Sequence, residues 1–411
     1  MKYSLSLFSK SLIVRDYLWR LLQYLSKTLI LIVFNFYAAS ILSPEGYGEV
    51  VYVLALVGIV EMFANFGLSA TCLKKCAEYT KQGTNREIST LVFSVSVFST
   101  IVSFVGFVIL SFLFTSSSVN ILYLLPYLLS LPLISVLDGM YVGMGRFKEV
   151  SRSTVIPTLI SALIGFFLIS YFGIKGLLLS YSFYNVLLLC FYIYKTSFSE
   201  YRFSLQIVRD VLRYSIIVGL GSLSFFLYSR VDVFILEYFS FTKEIGYYEL
   251  VMKSFQLLVL PVIMLGQVVS PKAVRDKDDL RRLSKYYQHI PSFLFIGSLF
   301  LICILFFLGP ILIQSYLNAY YTQDFLLIFN VLLLVLPLKF IGVYMTNGVI
   351  TPLGYAKLLT ITTFFFGVCN VFFDFILIER YGFIGVFYAT LICHNANIMS
   401  QYVLFRIKIK K

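Results

Sequence analysis

The sequence predicts an all-α integral membrane protein: twelve transmembrane helices in two pseudo-symmetric six-helix bundles around a central cleft, with both termini cytoplasmic. Three observations predict it. Of 411 residues, 59% are hydrophobic and only 13% are charged, about half the charged share of a soluble domain. The apolar residues run in stretches long enough to cross a bilayer, taking ~20 residues at ~1.5 Å rise for a ~30 Å core. Basic residues fall in alternate loops, and short motifs of the first half recur in the second.

In chain order the stretches lie near 20–41, 46–72, 89–116, 120–145, 154–172 and 174–194, then 213–239, 244–270, 290–310, 324–348, 356–378 and 381–405. They are apolar on all faces rather than alternating, which disfavours strands. The first ends in Tyr37-Ala38-Ala39-Ser40, which mimics a signal-peptidase site. Its apolar stretch is long and eleven more follow, so it reads as a retained helix.

Charge sets the expected orientation. A cytoplasmic N-terminus places 26 of the 33 Lys and Arg residues on that side, and only Lys175, Lys243 and Arg380 opposite. That bias predicts both termini in the cytoplasm. The net charge of +13 is thus a property of one set of loops, and no nucleic acid is expected as partner. The six cysteines lie within or at the ends of apolar spans. Cys72 and Cys76 share a helix face, but no histidine or second cysteine pair accompanies them, so packing is expected rather than a disulfide framework or metal site.

The internal repeats divide the chain at 1–200 and 201–411. "GYGEVVYV" at 46–53 returns as "GYYELVMK" at 246–253, an offset of 200. "GRFK" at 145–148 answers "GYAK" at 354–357, and "FGIKG" at 172–176 answers "YGFIG" at 381–385, both at an offset of 209. Parallel repeats of six spans leave a cleft between halves and suit alternating access, so transport is the first hypothesis.

Charges inside the spans mark the expected pathway, because an ionisable residue in hydrocarbon costs several kcal/mol unless it faces water or a partner. Arg230 lies roughly 25 Å of helical rise beyond Arg213, and Lys253 about 14 Å beyond Glu244, so two cations on consecutive helices reach similar depth. Arg230 and Asp232 point about 200° apart and cannot satisfy each other. Glu249 and Lys253 stand four apart with the acid first, which allows either an internal ion pair or an anion-binding cation. Lys27 is open to snorkelling or pairing. Glu61 is open to protonation, pairing with Lys27 or helix packing. Asp138 and Lys339 complete the set, Lys339 following the helix-bending Pro337. Asp374, near an outer helix end, is expected to be able to reach the interface. Substrate binding is assigned to Arg230, Lys253, Lys27 and Lys339; a dehydrated diphosphate needs cations that keep their charge, and Arg230 is the best candidate because guanidinium stays protonated. Ion coupling is assigned to Asp232, Glu61, Glu249 and Asp138, acids whose protonation responds to burial.

Enzyme chemistry has little support. The two histidines, His289 and His394, lack a carboxylate or cysteine at ligand spacing, and no phosphate-cradling glycine loop is present. His394 shares a polar stripe with Asn395 and Asn397 and reads as an interhelical contact. No catalytic residue, metal or cofactor is expected beyond a coupling H+ or Na+.

The stretch "ILSPEGYGEVVYVLALVGIVEMFANFGLSATCLKKCAEY" resembles the Wzx-type polysaccharide flippases of the multidrug, oligosaccharidyl-lipid and polysaccharide exporter superfamily. "SFFLYSRVDVFILEYFSFTKEIGYYELVMKSFQLLVLPVIMLGQVVSPKAVR" resembles the same family's seventh and eighth spans, with Arg-x-Asp at 230–232 and the "GYY" turn in place. The likeness extends over nearly the whole chain. It implies a cargo of undecaprenyl-diphosphate-linked oligosaccharide, an O-antigen or capsule repeat unit, moved across the bacterial inner membrane by an ion gradient through a cationic cavity. Implied partners are membrane lipids and the polymerase and glycosyltransferases of the same pathway. A multidrug antiporter of the same architecture is the nearest alternative, and a membrane glycosyltransferase or O-antigen polymerase is the alternative from another class.

Overall fold

The computed structural model describes the backbone of residues 2–113, 121–196, 202–277 and 279–410, and the side chains of these segments over residues 18–409 except 113, 217 and 280. Every regular element among them is helical. In lipid each backbone amide and carbonyl must be satisfied within its own segment, and a long apolar sequence does that as a helix.

The elements are α1 (Lys2–Ile41), α2 (Pro44–Asn65), α3 (Leu68–Gln82), α4 (Asn85–Leu113), α5 (Leu125–Gly143), α6 (Phe147–Lys195), α7 (Leu205–Tyr238), α8 (Thr242–Arg275), α9 (Leu280–Ser284), α10 (Ile290–Tyr316), α11 (Gln323–Leu333), α12 (Leu336–Met345), α13 (Ala356–Tyr381) and α14 (Ile384–Lys410). Their ends follow local chemistry. Proline occupies the first turn of α5, α10 and α12, where no amide donor is needed. Thr322 caps α11 by accepting from the Phe325 amide at 3.2 Å. Gly83 closes α3 in the left-handed region.

Nine helical segments of the described residues are long and apolar enough to cross a membrane, or ten if α11 and the following Leu336–Ile350, bent by 46°, form one broken span. This differs from the twelve expected in two places. The spans expected at 154–172 and 174–194 are both present, as two limbs of α6 that meet where the backbone leaves helical geometry at Gly173, and they count as one segment. The span expected at 381–405 corresponds to α14, where His394, Asn395, Asn397 and Gln401 dilute the apolar character. The ends expected at 116 and 120 fall outside the described residues.

The chain forms two compact units, Met1–Ile41 with Val53–Ser222, and Leu42–Tyr52 with Leu223–Lys411. The expected boundary at 200/201 lies outside the described residues. In the first unit α1 packs along α6, and α5 lies against α3, α4 and α6. In the second, α13 pairs with α14 while α12 touches α8, α10 and α14. The start of α2 belongs to the second unit because its backbone meets that of α8. A Cβ on Gly48 would overlap the Thr242 carbonyl oxygen, and one on Gly246 the Pro44 carbonyl oxygen.

The sequence repeats have matching backbone conformations. Gly173 (φ 54°, ψ −126°) and Gly382 (φ 62°, ψ −151°) each reverse the chain between two antiparallel limbs, in a region open to glycine almost alone. Three residues later, a Cβ on Gly176 would overlap Leu168 and one on Gly385 would overlap Leu377. All three pairs, 168/377, 173/382 and 176/385, keep the 209-residue offset. Gly145 and Gly354 share it and also have positive φ, 73° and 90°.

Candidate functional site

The second unit holds a polar cluster sealed among apolar helices. Asp232 on α7 is 1% exposed and Asp374 on α13 is 0% exposed. Asp232 Oδ2 accepts from the Tyr248 hydroxyl of α8 at 2.7 Å and from Thr390 Oγ1 of α14 at 2.8 Å. Its Oδ1 accepts from Asn370 Nδ2 of α13 at 2.7 Å, and the same nitrogen donates to Asp374 Oδ2 at 3.2 Å. One amide thus bridges two carboxylates, and the donors come from three helices, α8, α13 and α14. Asn370 and Asp374 can both face inward because they stand four apart on one helix.

Charge balance is what sets this cluster apart. Neither Asp232 nor Asp374 makes an ion pair among the described residues. Asp374 Oδ1 and Asn370 Oδ1 are buried and accept no hydrogen bond there. Two carboxylates in a water-poor site repel each other, and each is costly to bury uncompensated. A proton between them or a small cation would relieve both costs. The donors are all oxygen, the set a hard cation prefers. No group of three or more His, Cys, Asp or Glu side chains arranged to hold a metal ion occurs among the described residues.

Beside the cluster lies an ion triad. Arg230 Nη1 is 2.9 Å from Glu249 Oε2, and Lys253 Nζ is 3.2 Å from Glu249 Oε1. The Arg230 side chain is 36% exposed, Lys253 20% and Glu249 10%, so the cations reach outward from a shared, buried acid. α7 therefore grips α8 twice through adjacent residues: Asp232 to Tyr248, and Arg230 to Glu249. The back-to-back directions of Arg230 and Asp232 send one toward the accessible triad and the other into the sealed cluster.

The other residues singled out in the sequence are placed separately. Lys339, on α12 after Pro337, is half-buried and pairs with no acid among the described residues. In the same unit the Tyr228 hydroxyl and His394 Nδ1 lie 2.6 Å apart with their rings stacked, the interhelical contact expected for this histidine. In the first unit Asp138 accepts from Arg20, at 3.3 Å to Oδ2, and from the Tyr192 hydroxyl at 2.8 Å to Oδ1. Gln23 extends this network by accepting from Arg20 at 2.6 Å and donating to Thr154 at 3.0 Å. Lys27 is exposed and pairs with no acid, Glu61 included, among the described residues. Glu61 is half-buried on α2.

Asp374 corrects the expectation that it could reach the interface: α13 turns it inward, where Asn370 holds it. The sequence reading also missed Tyr248, Asn370, Thr390 and Arg20. The Asn370/Asp374 pair, four apart in an otherwise apolar helix, was a usable signal. Tyr248 and Thr390 carried none, because tyrosine and threonine are common in apolar helices, and Arg20 was hidden among the basic residues at the start of the first span.

This fold is shared with solved membrane transporters. Over 93% of the chain and 94% of the other, it superposes on the inward-facing conformation of a multidrug resistance MATE family transporter of the MOP superfamily, with a TM-score of 0.70 and 17% identity. The outward-facing conformation of such a transporter matches over 98% of this chain and 96% of that one, with a TM-score of 0.65 and 17% identity. At this identity the likeness establishes the fold. Residues 13–275 match the family of polysaccharide biosynthesis proteins, and the chain belongs to that family. An uncharacterized membrane protein of Methanocaldococcus jannaschii is 24% identical over 405 residues, covering 91% of this chain and 94% of its relative.

Proposed function

We propose that this multi-pass membrane protein is a flippase for polyprenyl-diphosphate-linked oligosaccharides, driven by a cation gradient through alternating access. Undecaprenyl diphosphate carrying an O-antigen or capsule repeat unit, at a bacterial inner membrane, is the specific cargo and place we assign. Family membership supports a polysaccharide cargo, and the MATE-like fold supports transport.

The observation that carries the mechanism is the double grip of α7 on α8. Arg230 and Lys253 offer guanidinium and ammonium donors to a diphosphate, in exchange for part of their contact with Glu249. Asp232, Asn370, Asp374 and Thr390 hold the coupling cation, H+ or Na+. Neutralising Asp232 changes its hold on Tyr248, one residue from Glu249, so ion occupancy is transmitted to the cargo cations through one rigid turn of helix. Asp138 is already balanced by Arg20 and serves packing in this scheme.

The test is transport of a fluorescent lipid-linked oligosaccharide in proteoliposomes, alongside recovery of surface polysaccharide in cells lacking their own flippase. Arg230→Ala should abolish both while the protein still inserts, and Arg230→Lys should keep part of the activity. Normal surface polysaccharide with Arg230→Ala would refute the assignment. Export of cationic drugs with no oligosaccharide movement would favour the multidrug reading instead.

A further inference from the structure

The first unit carries a second cationic site that the transport scheme leaves unused. Because α6 turns back at Gly173, its first and last turns come together around a cavity of about 850 Å³ whose charged lining is Arg146, Lys148, Arg152 and Lys195 with one acid, Glu149. Arg146 pairs with Glu149. Lys148, Arg152 and Lys195 have no acidic partner among the described residues. Lys148 and Arg152 lie one turn apart, and both sit 5.9 Å from the ring of Trp19 on α1. The cavity wall is apolar at Ile156 and Phe191. From Ile156 an exposed stripe continues along the same helix face through Ile160, Leu163 and Phe167, at steps of four, three and four residues.

We infer that this cavity and stripe bind one anionic phospholipid, its headgroup phosphate held by Lys148, Arg152 and Lys195 and an acyl chain laid along Ile156 to Phe167. The unpaired cations supply charge-assisted donors to a phosphodiester, and the indole holds two of them over its face. The apolar stripe begins one turn from Arg152, which suits a ligand with an anionic head and a hydrocarbon tail better than a free anion. Basic pockets between helices at the membrane surface recognise lipid headgroups by this chemistry. The assignment is independent of the cargo.

Trp19 is the single tryptophan of the chain, so its fluorescence reports on this cavity alone. Protein is reconstituted in phosphatidylcholine vesicles containing a small, equal fraction of either phosphatidylglycerol or phosphatidylcholine with brominated acyl chains. Brominated phosphatidylglycerol should quench Trp19 with a preference on the order of tenfold. Lys148→Gln with Arg152→Gln should remove most of that preference, and Lys195→Gln alone part of it. The single variant carries the test if the double variant is not monodisperse. Arg281→Gln with Lys285→Gln, in the second unit, should leave the preference intact. Equal quenching by both lipids overturns the proposal, as does an equal loss in the Arg281/Lys285 variant, which would mean diffuse surface charge. Relief of quenching by inorganic phosphate, but not by chloride at the same ionic strength, would make the cavity a free-anion site and overturn the lipid assignment.

Discussion

The two units each set an aspartate against a tyrosine, and they differ in what completes the contact. In the first, Asp138 takes Tyr192 and the guanidinium of Arg20, with side chains 29% and 41% exposed. In the second, Asp232 takes Tyr248, and the next ionisable group is another acid, Asp374, with no cation among the described residues. A neutralised pair at a wet edge is a fastener, worth about 1 kcal/mol or less. An uncompensated pair of carboxylates in a dry core is unstable unless something else is bound, and that instability is useful only if the something comes and goes. The two units thus differ in the electrical role of their aspartates.

The largest expected effect is on the unbalanced side. Asp232→Asn keeps the shape but turns one acceptor into a donor facing the Tyr248 and Thr390 hydroxyls, a conflict of about 1–3 kcal/mol. It should reduce cation-driven oligosaccharide flux in proteoliposomes at least tenfold and remove its dependence on the driving cation. Unchanged cation dependence would erase the contrast between the units.

Next come the matched chain reversals. Gly176→Ala places a methyl group against the Leu168 carbonyl and should lower the yield of folded protein, read as monodisperse recovery on size exclusion. Gly382→Ala has open space around it, so only its positive φ opposes the change, at about 1–3 kcal/mol. Thermal unfolding followed by circular dichroism should show a modest fall there and a larger one for Gly176→Ala. The reverse order would mean that the positive φ, and not the backbone overlap, governs these turns.

The smallest effect is expected from Asp138→Asn. Losing a half-exposed ion pair should cost about 1 kcal/mol or less, with transport close to that of the unchanged protein. Loss of transport as severe as with Asp232→Asn would show that the first unit also couples ions.

Much of the architecture was legible because membrane solvation leaves one local solution: long apolar segments with few charges become helices wherever they are read. The glycine motifs at 172–176 and 381–385 also spoke locally, since positive φ is a property of single residues. The span count was less legible, because Gly173 joins two helical limbs with no loop between them and α14 spends its polar residues on neighbours. Of the site, Glu249 and Lys253 were readable as a same-helix pair at four-residue spacing.

The remaining contacts join residues far apart in the chain. Asp232 meets Asn370 and Thr390 across 138 and 158 positions, and Asp138 meets Arg20 across 118. Composition and periodicity alone determined the solvent, the helices and the repeated turns, because each depends on forces acting within a few residues. Only tertiary packing decided which aspartate found a cation and which found another acid, because that depends on the helix facing it.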